Sequence, residues 1–183
     1  LSMLNTRYII VDGKLSPVEY YYGNGAAWCV DNLAFATTAD EEMALLRGIN
    51  TYSQAVIAGS PFEYNPQGVE ASIELTEYGP QERHYKFSSA EEKVAVLSSI
   101  WYPSGWKAEI DGIETEILRA DYILQAVKVP AGEHEIVLRF EPKTVTAGQK
   151  ISVASSIALI VLALLAIAGF VFKKKNERDR ANS

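Results

Sequence analysis

The sequence predicts a mainly β fold, in which a β-sandwich domain follows a small α+β part and precedes one C-terminal transmembrane helix. Apolar and polar residues alternate through much of residues 69–142, as in strands that bury one face. One helix-capping pattern begins at Thr38. A run of 22 uncharged residues lies near the C-terminal end. These observations divide the chain into an α+β subdomain (1–62), a β-sandwich domain (69–142), a transmembrane helix (151–172) and a basic tail (173–183).

The α+β subdomain is predicted to contain short strands and one helix. Residues 6–11 form an apolar β run that Asp12-Gly13 closes, residues 28–36 read as a second strand, and residues 55–57 as a third. Gly and Pro residues between 59 and 68 then mark the boundary with the sandwich.

The predicted helix begins at a capping box formed by Thr38 and Glu41 and ends at Gly48. The acids at positions 40–42 favour the positive end of the helix dipole, which explains them better than a metal site does. An apolar side is expected from three residues: Met43, Leu45 and Leu46.

The sandwich is predicted from several short strands with turn signals between them. Residues 69–76 alternate apolar and polar side chains, and residues 94–102 form a longer strand. Asp111-Gly112 is the strongest hairpin signal in the chain. Ala131-Gly132 is expected to turn the strand at 122–129 back into the strand at 134–140.

The uncharged run 151–172 predicts a membrane-spanning helix. At ~1.5 Å per residue it is about 33 Å long, enough to cross a hydrocarbon core of about 30 Å. Lys173, Lys174 and Lys175 follow at once, and loops rich in Lys and Arg stay cytoplasmic. The sequence therefore predicts that the protein lies in the inner (cytoplasmic) membrane, with the lipid bilayer as its partner. Residues 1–150 would then lie outside the cell membrane and the C-terminus would lie in the cytoplasm.

The charge and the cysteine content of the chain exclude some classes of function. Residues 151–183 hold 5 of the 17 Lys and Arg and 2 of the 23 Asp and Glu, which leaves 12 bases, 21 acids and a net charge of −9 in residues 1–150. Such an acidic domain has no electrostatic reason to bind nucleic acid. The single cysteine, Cys29, has no partner for an intrachain disulfide and is expected to be a small buried residue.

No residue pattern predicts a catalytic, metal or cofactor site. His84 and His134 are fifty positions apart without other ligands at metal-binding spacing. Gly23-Asn24-Gly25 lacks the third glycine of a dinucleotide fingerprint, and no serine stands in a nucleophile-elbow motif. We therefore expect no catalytic residue and no cofactor in this chain.

Aromatic residues are the remaining candidates for a binding surface. Trp101, Tyr102 and Trp106 bracket a Pro-Ser-Gly loop that could present flat rings to a sugar. The same rings could instead close the sandwich core or pack on another domain. Tyr21 and Tyr22 leave the same choice, with anchoring at the membrane interface as a third alternative.

The segment WYPSGWKAEIDGIETEILRADYILQAVKVPAGEHEIVLRFEP, followed by an apolar run and a basic end, resembles the C-terminal portion of the YfhO family of bacterial membrane proteins. The stretches LSMLNTRYIIVDG and GNGAAWCVDNLAFATTADEEMALL are similar to the region that precedes it. Members of that family are many-spanning proteins regarded as glycosyltransferases that use lipid-linked sugars outside the membrane. Their catalytic acids lie in the large membrane domain, so the resemblance assigns no catalytic role here. Gln125 departs from the family pattern, where an Arg is expected.

Two functional hypotheses follow. In the first, the chain is the C-terminal extracytoplasmic domain and last membrane helix of a YfhO-like glycosyltransferase in the bacterial cell envelope. Its partners would then be upstream membrane spans of the same protein and a cell-envelope glycan. In the second, it is a single-pass, membrane-anchored β-sandwich that binds or adheres without catalysis. Because the chain opens on Leu1 without a signal-peptide pattern, we expect an upstream segment, either further spans or a removed leader.

Overall fold

A computed structural model describes residues 1–13, 16–142, 148–149, 151–162 and 164–165. The chain divides into two compact units, Leu1–Glu141 and Pro142–Ser183. The predicted boundary between residues 62 and 69 falls inside the first unit, since strands from both sides of it share one sheet.

The first unit consists of strands with one α-helix and a short 3-10 helix at Ser2–Leu4. Its elements are β1 Tyr8–Ile9, β2 Val18–Glu19, β3 Ala27–Val30, β4 Asn32–Ala36, α1 Ala39–Leu46, β5 Gln54–Ala58, β6 Ala71–Tyr78, β7 Glu82–Ser89, β8 Lys93–Ile100, β9 Trp106–Ile110, β10 Ile113–Thr115, β11 Leu118–Ala120, β12 Leu124–Val129 and β13 Gly132–Phe140. The predicted mainly β class is confirmed.

Two large sheets and one small ribbon contain these strands. The five-stranded sheet has the order β10-β9-β13-β7-β6, the six-stranded sheet has the order β3-β8-β12-β11-β5-β4, and β1 pairs with β2 alone. All pairs are antiparallel except β4 with β5, which α1 connects as a parallel βαβ unit. This unit corresponds to the predicted N-terminal α+β part, but it forms one edge of the large sheet.

The six-stranded sheet curls until its edges approach each other. Strands β3 and β4 lie at opposite edges, yet only Asp31 separates them in sequence. Two residue steps span at most about 7 Å, so the two edges meet at Asp31. The predicted single strand over residues 28–36 is therefore wrong, because the chain changes edges at this residue.

Two apolar clusters lie on the two faces of the six-stranded sheet. The inter-sheet cluster joins it to the five-stranded sheet through Tyr85, Phe87, Ala95, Leu97, Ala108, Val127, Val129, Ile136 and Leu138. The second cluster fills the concave face and contains Trp28, Val30, Ala55, Ile57, Val94, Val96, Ala120, Leu124 and Ala126. Alternate residues of β8 and β12 thus enter opposite cores, which explains why residues 94–97 of β8 are apolar at every position.

Helix α1 confirms the predicted capping box. The Glu41 amide donates to Thr38 Oγ1 at 3.3 Å, and the Thr38 amide donates to Glu41 Oε2 at 3.2 Å. The predicted apolar side is not the buried side: Met43 and Leu45 are exposed, Leu46 is half-buried, and the fully buried residue is Glu42. Glu42 turns inward because Arg119 Nη2 lies 2.7 Å from its Oε2.

The two predicted turns of the sandwich have different outcomes. Asp111 and Gly112 both have positive φ, 52° and 80°, and join β9 to β10 as a hairpin. Ala131-Gly132 does not form a hairpin, because β12 belongs to the six-stranded sheet and β13 to the five-stranded sheet. The chain there crosses from one sheet to the other.

In the second unit, residues 148–149, 151–162 and 164–165 are helical. Ser155 Oγ donates to the Ile151 carbonyl at 2.8 Å, and Ser156 Oγ donates to the Ser152 carbonyl at 2.9 Å. Within the described residues, none of the helices combines the length and the apolar character that crossing a membrane requires. Residues 166–172 of the predicted span and the basic tail lie outside the described residues.

Candidate functional site

A cavity of about 270 Å³ lies where β8, β9, β10 and β12 approach one another, and we call it the aromatic cavity. The loop between β8 and β9 supplies its aromatic wall, and β10 with the two residues that follow it supplies the opposite wall. Its lining residues are Trp101, Tyr102, Pro103, Trp106, Lys107, Glu114, Thr115, Glu116, Ile117 and Gln125.

Backbone hydrogen bonds fix the loop that carries the aromatic wall. The Trp101 amide donates to the Ile123 carbonyl at 2.8 Å, which ties the loop to the start of β12. The Glu141 amide donates to the Gly105 carbonyl at 2.6 Å, which ties the loop to the end of β13. Gly105 is required there, because a Cβ at this position would lie 2.3 Å from a ring carbon of Phe140.

The two tryptophans are held by cations and by neighbouring rings. Trp106 packs against Phe140 with 5.1 Å between ring centroids, and the guanidinium of Arg83 lies 4.9 Å from the Trp106 ring centre. Arg119 lies 5.6 Å from the ring centre of Trp101. Trp106 also packs against the inter-sheet cluster, so this side chain supports the core and lines the cavity at once.

Gln125 on β12 forms part of the cavity lining beneath these rings. Its Nε2 donates to the Ile100 carbonyl at 3.0 Å, while its Oε1 has no hydrogen-bond partner. The side chain is 0% exposed. A buried acceptor without a donor costs free energy, so Gln125 is an unfilled hydrogen-bonding position next to the cavity.

The opposite wall is acidic. Glu114 and Glu116 are both exposed, and neither forms an ion pair within the part of the chain that the structure describes. Lys107 lines the same cavity, but its Nζ lies 3.3 Å from Glu141 Oε2, so that carboxylate compensates its charge. The cavity is consequently rich in hydrogen-bond acceptors and carries negative charge.

A second depression of about 400 Å³ continues from the aromatic cavity. Thr115 and Glu116 belong to both, and the other lining residues of the second depression are Phe62, Glu92, Leu118 and Lys128. Lys128 Nζ lies 2.9 Å from Glu92 Oε1 and 5.5 Å from the ring centre of Phe62. The shared residues make the two depressions neighbours along one surface.

The sequence offers two groups of aromatic residues as candidate binding surfaces, and one of them lines the aromatic cavity. Trp101, Tyr102 and Trp106 all line it, as the sequence pattern around Gly105 suggests. Tyr21 and Tyr22 do not, and they lie beyond β2 with 78% and 77% of their surfaces exposed. Sequence reasoning missed the acidic wall, because Glu114 and Glu116 resemble ordinary surface acids of a short strand.

The other reactive residue types have structural partners. His84 Nδ1 lies 3.0 Å from Glu135 Oε1, and His134 Nδ1 lies 2.6 Å from Asp111 Oδ2. These hydrogen bonds raise the pKa of both imidazoles. Cys29 is half-buried rather than buried, and burial raises the pKa of its thiol to about 12. No cluster of three or more potential metal ligands occurs among the described residues.

Comparison with known proteins supports the resemblance seen in the sequence. The family model described as Bacterial membrane protein YfhO matches residues 65–152. The match includes β6 to β13 and every residue that lines the aromatic cavity. Searches of curated proteins and of solved structures gave no match to the chain.

Proposed function

Because residues 65–152 place the chain in the YfhO family of bacterial membrane proteins, we propose that it is the C-terminal extracytoplasmic domain and last membrane helix of a membrane glycosyltransferase. Residues 1–150 lie outside the inner membrane, residues 151–172 cross it, and the basic tail is cytoplasmic. Upstream membrane spans of the same protein carry out catalysis with a lipid-linked sugar. This domain contributes no catalytic residue and holds a cell-envelope glycan near those spans.

The aromatic cavity is the observation that carries this proposal. Sugar rings have apolar faces that pack on aromatic side chains and hydroxyl groups that need polar partners around the rim. Trp101, Tyr102 and Trp106 supply the rings, and Glu114, Glu116 and Gln125 supply acceptors. The neighbouring depression with Phe62 offers room for a second sugar unit, which favours an oligosaccharide.

A matched pair of tyrosine substitutions tests this role. Tyr102→Ala removes a ring from the cavity, whereas Tyr22→Ala removes an exposed ring that does not line it. We expect Tyr102→Ala to weaken oligosaccharide binding by about tenfold or more and Tyr22→Ala to leave it unchanged. Tryptophan fluorescence of the 183-residue chain in detergent, titrated with neutral, amino and acidic trisaccharides, measures both.

The result also separates the two readings of the aromatic group. If Tyr102→Ala leaves binding unchanged, or no trisaccharide binds at all, the cavity is not a glycan site. Trp106→Ala is a poor substitute for this test, because the loss of its packing on Phe140 is expected to destabilise the domain by about 2 kcal/mol or more.

Membrane orientation needs its own experiment. Ser72→Cys and Ser183→Cys place a thiol in the exposed part of β6 and in the basic tail. We expect a membrane-impermeant maleimide to label the first and not the second in intact cells, since the native Cys29 thiol is protonated and poorly reactive. Labelling of Ser183→Cys alone would reverse the proposed topology.

A further inference from the structure

We propose that the aromatic cavity selects a sugar that carries a free primary ammonium group over its N-acetylated and acidic counterparts. This inference rests on the proposed glycan role and names the chemical class of the ligand. It follows from three groups that accept no hydrogen bond from any residue that the structure describes: the carboxylates of Glu114 and Glu116 and the amide oxygen of Gln125.

The acceptors specify a ligand rich in donors. An ammonium group has three N–H donors and no acceptor, so it suits the two carboxylates and the buried amide oxygen of this cavity. Hydrogen bonds between a cation and carboxylates are about twice as strong as neutral ones. Lys107 does not cancel this preference, because Glu141 lies within ion-pair distance of it.

The aromatic wall strengthens the same preference. The faces of aromatic rings attract cations, and Arg119 and Arg83 already occupy this position at Trp101 and Trp106, whereas no cation of the described residues lies over the Tyr102 ring, which can receive the ammonium group. The net charge of −9 in residues 1–150, from 12 bases and 21 acids, also attracts a cationic ligand towards the domain.

The position of Gln125 makes it the specificity-determining residue of the cavity. Its Oε1 is buried and has no hydrogen-bond partner among the described residues, so a ligand reaches it when a side chain of the cavity lining turns aside. An N-acetyl group has one donor and no charge, and an acidic sugar meets Glu114 and Glu116 with like charge. Neither ligand brings a positive charge to the two carboxylates.

Three trisaccharides with related pyranose rings test the preference. The probes are the trimers of glucosamine, N-acetylglucosamine and galacturonic acid, titrated into the 183-residue chain in detergent at low salt. A pH of about 6 keeps an amine of ordinary pKa charged. Quenching reports mainly on Trp101 and Trp106, since Trp28 is buried. We expect the glucosamine trimer to bind about tenfold or more tightly than either other probe.

Isosteric substitutions locate the source of the preference. The double variant Glu114→Gln and Glu116→Gln keeps the shape of the wall and removes its charge, and it should lose the tenfold preference for the amine. Glu70→Gln is the matched control, because it changes one exposed carboxylate that does not line the cavity. Gln125→Met removes the buried acceptor and should weaken glucosamine binding by about tenfold. A thermal melt of each variant checks that it folds.

The outcomes separate this inference from the proposed glycan role. Equal binding of the three probes, or tighter binding of the N-acetylated probe, overturns the inference and leaves glycan binding intact. Binding of none of them overturns both. An amine preference that survives the double Glu→Gln substitution also contradicts the inference, because the charge would then come from elsewhere.

Discussion

The two large sheets of this domain treat charged residues in opposite ways. The six-stranded sheet is covered on both faces, and its buried polar side chains include Lys93, Asp121 and Gln125. The five-stranded sheet is covered on one face only, and its charges lie on the outer face within reach of water, except for Arg83, whose Nη1 donates to Ser99 Oγ of β8 at 2.6 Å. Charged residues are therefore part of the buried structure in the six-stranded sheet, whereas most of those in the five-stranded sheet lie at the surface.

Lys93 shows what a buried charge requires in the six-stranded sheet. Its side chain is 1% exposed, and its Nζ contacts Asp31 Oδ1 and lies 2.8 Å from Glu91 Oε1. Burial acts to lower the pKa of Lys93, but hydrogen bonds to the two carboxylates outweigh it and raise the pKa. Asp31 lies where the two edges of the six-stranded sheet meet. This ion pair therefore links β8 to the point at which the sheet closes.

The largest expected effect comes from removing this cation. Lys93→Met keeps the length of the side chain and removes the cation from both carboxylates. We expect it to destabilise the domain by about 3 kcal/mol, because two hydrogen bonds between charged groups are lost. Lys128→Met in β12 is the matched control, since its ion pair with Glu92 is exposed. Urea unfolding curves measure both, and equal losses would contradict the special role of Lys93.

Asp121 is a second buried charge of the six-stranded sheet, and it is incompletely satisfied. Its Oδ1 accepts a hydrogen bond from the Val56 amide at 2.9 Å, while its Oδ2 has no partner. Burial, opposed in part by that hydrogen bond, raises the pKa of Asp121 from 3.8 to about 6, and the charge of Glu42 adds to the rise. The folded state therefore prefers Asp121 in its neutral form.

This pKa shift predicts a pH dependence with a defined sign. Because the pKa in the folded state lies above that in the unfolded chain, the associated stability is present below about pH 4 and is lost as the pH rises through about 6. Asp121→Asn is neutral at every pH and suits the positive φ of 48° at this position. We expect it to stabilise the domain by about 2 kcal/mol at pH 8 and to have little effect at pH 4. Melting at both pH values checks this, and an equal effect at both would show that charge is not the cause.

Local signals in the sequence were sufficient to predict local structure. The capping box at Thr38 and the Asp111-Gly112 hairpin both depend on residues within a few positions of each other, and the structure confirms them. Trp101, Tyr102 and Trp106, which are close together in the sequence, also line one cavity, and their contact with a glycan stays a prediction.

Features that depend on distant partners could not be predicted in this way. Glu42 is buried because it meets Arg119, 77 positions later, so the helix presents an acid where its sequence predicts an apolar side. The chain crosses between the sheets at Ala131-Gly132, which has the residues of a turn. Turn residues do not determine which sheet the next strand joins. Gln125 had a weak signal, as a lone amide in the apolar run of β12, and only its neighbours reveal the unfilled oxygen.

The smallest expected effect concerns an exposed ion pair on the five-stranded sheet. On the five-stranded sheet, Arg139 lies 3.0 Å from Glu82 and 2.9 Å from Glu109, which raises the pKa of its guanidinium, yet its side chain is 41% exposed. Water and salt screen such pairs, so we expect Arg139→Gln to change Tm by about 2 °C or less, and by less still in high salt. Differential scanning calorimetry at two salt concentrations measures it beside Lys93→Met. A fall in Tm as large as that of Lys93→Met would remove the distinction between the sheets, because exposed charges would then contribute as much stability as buried ones.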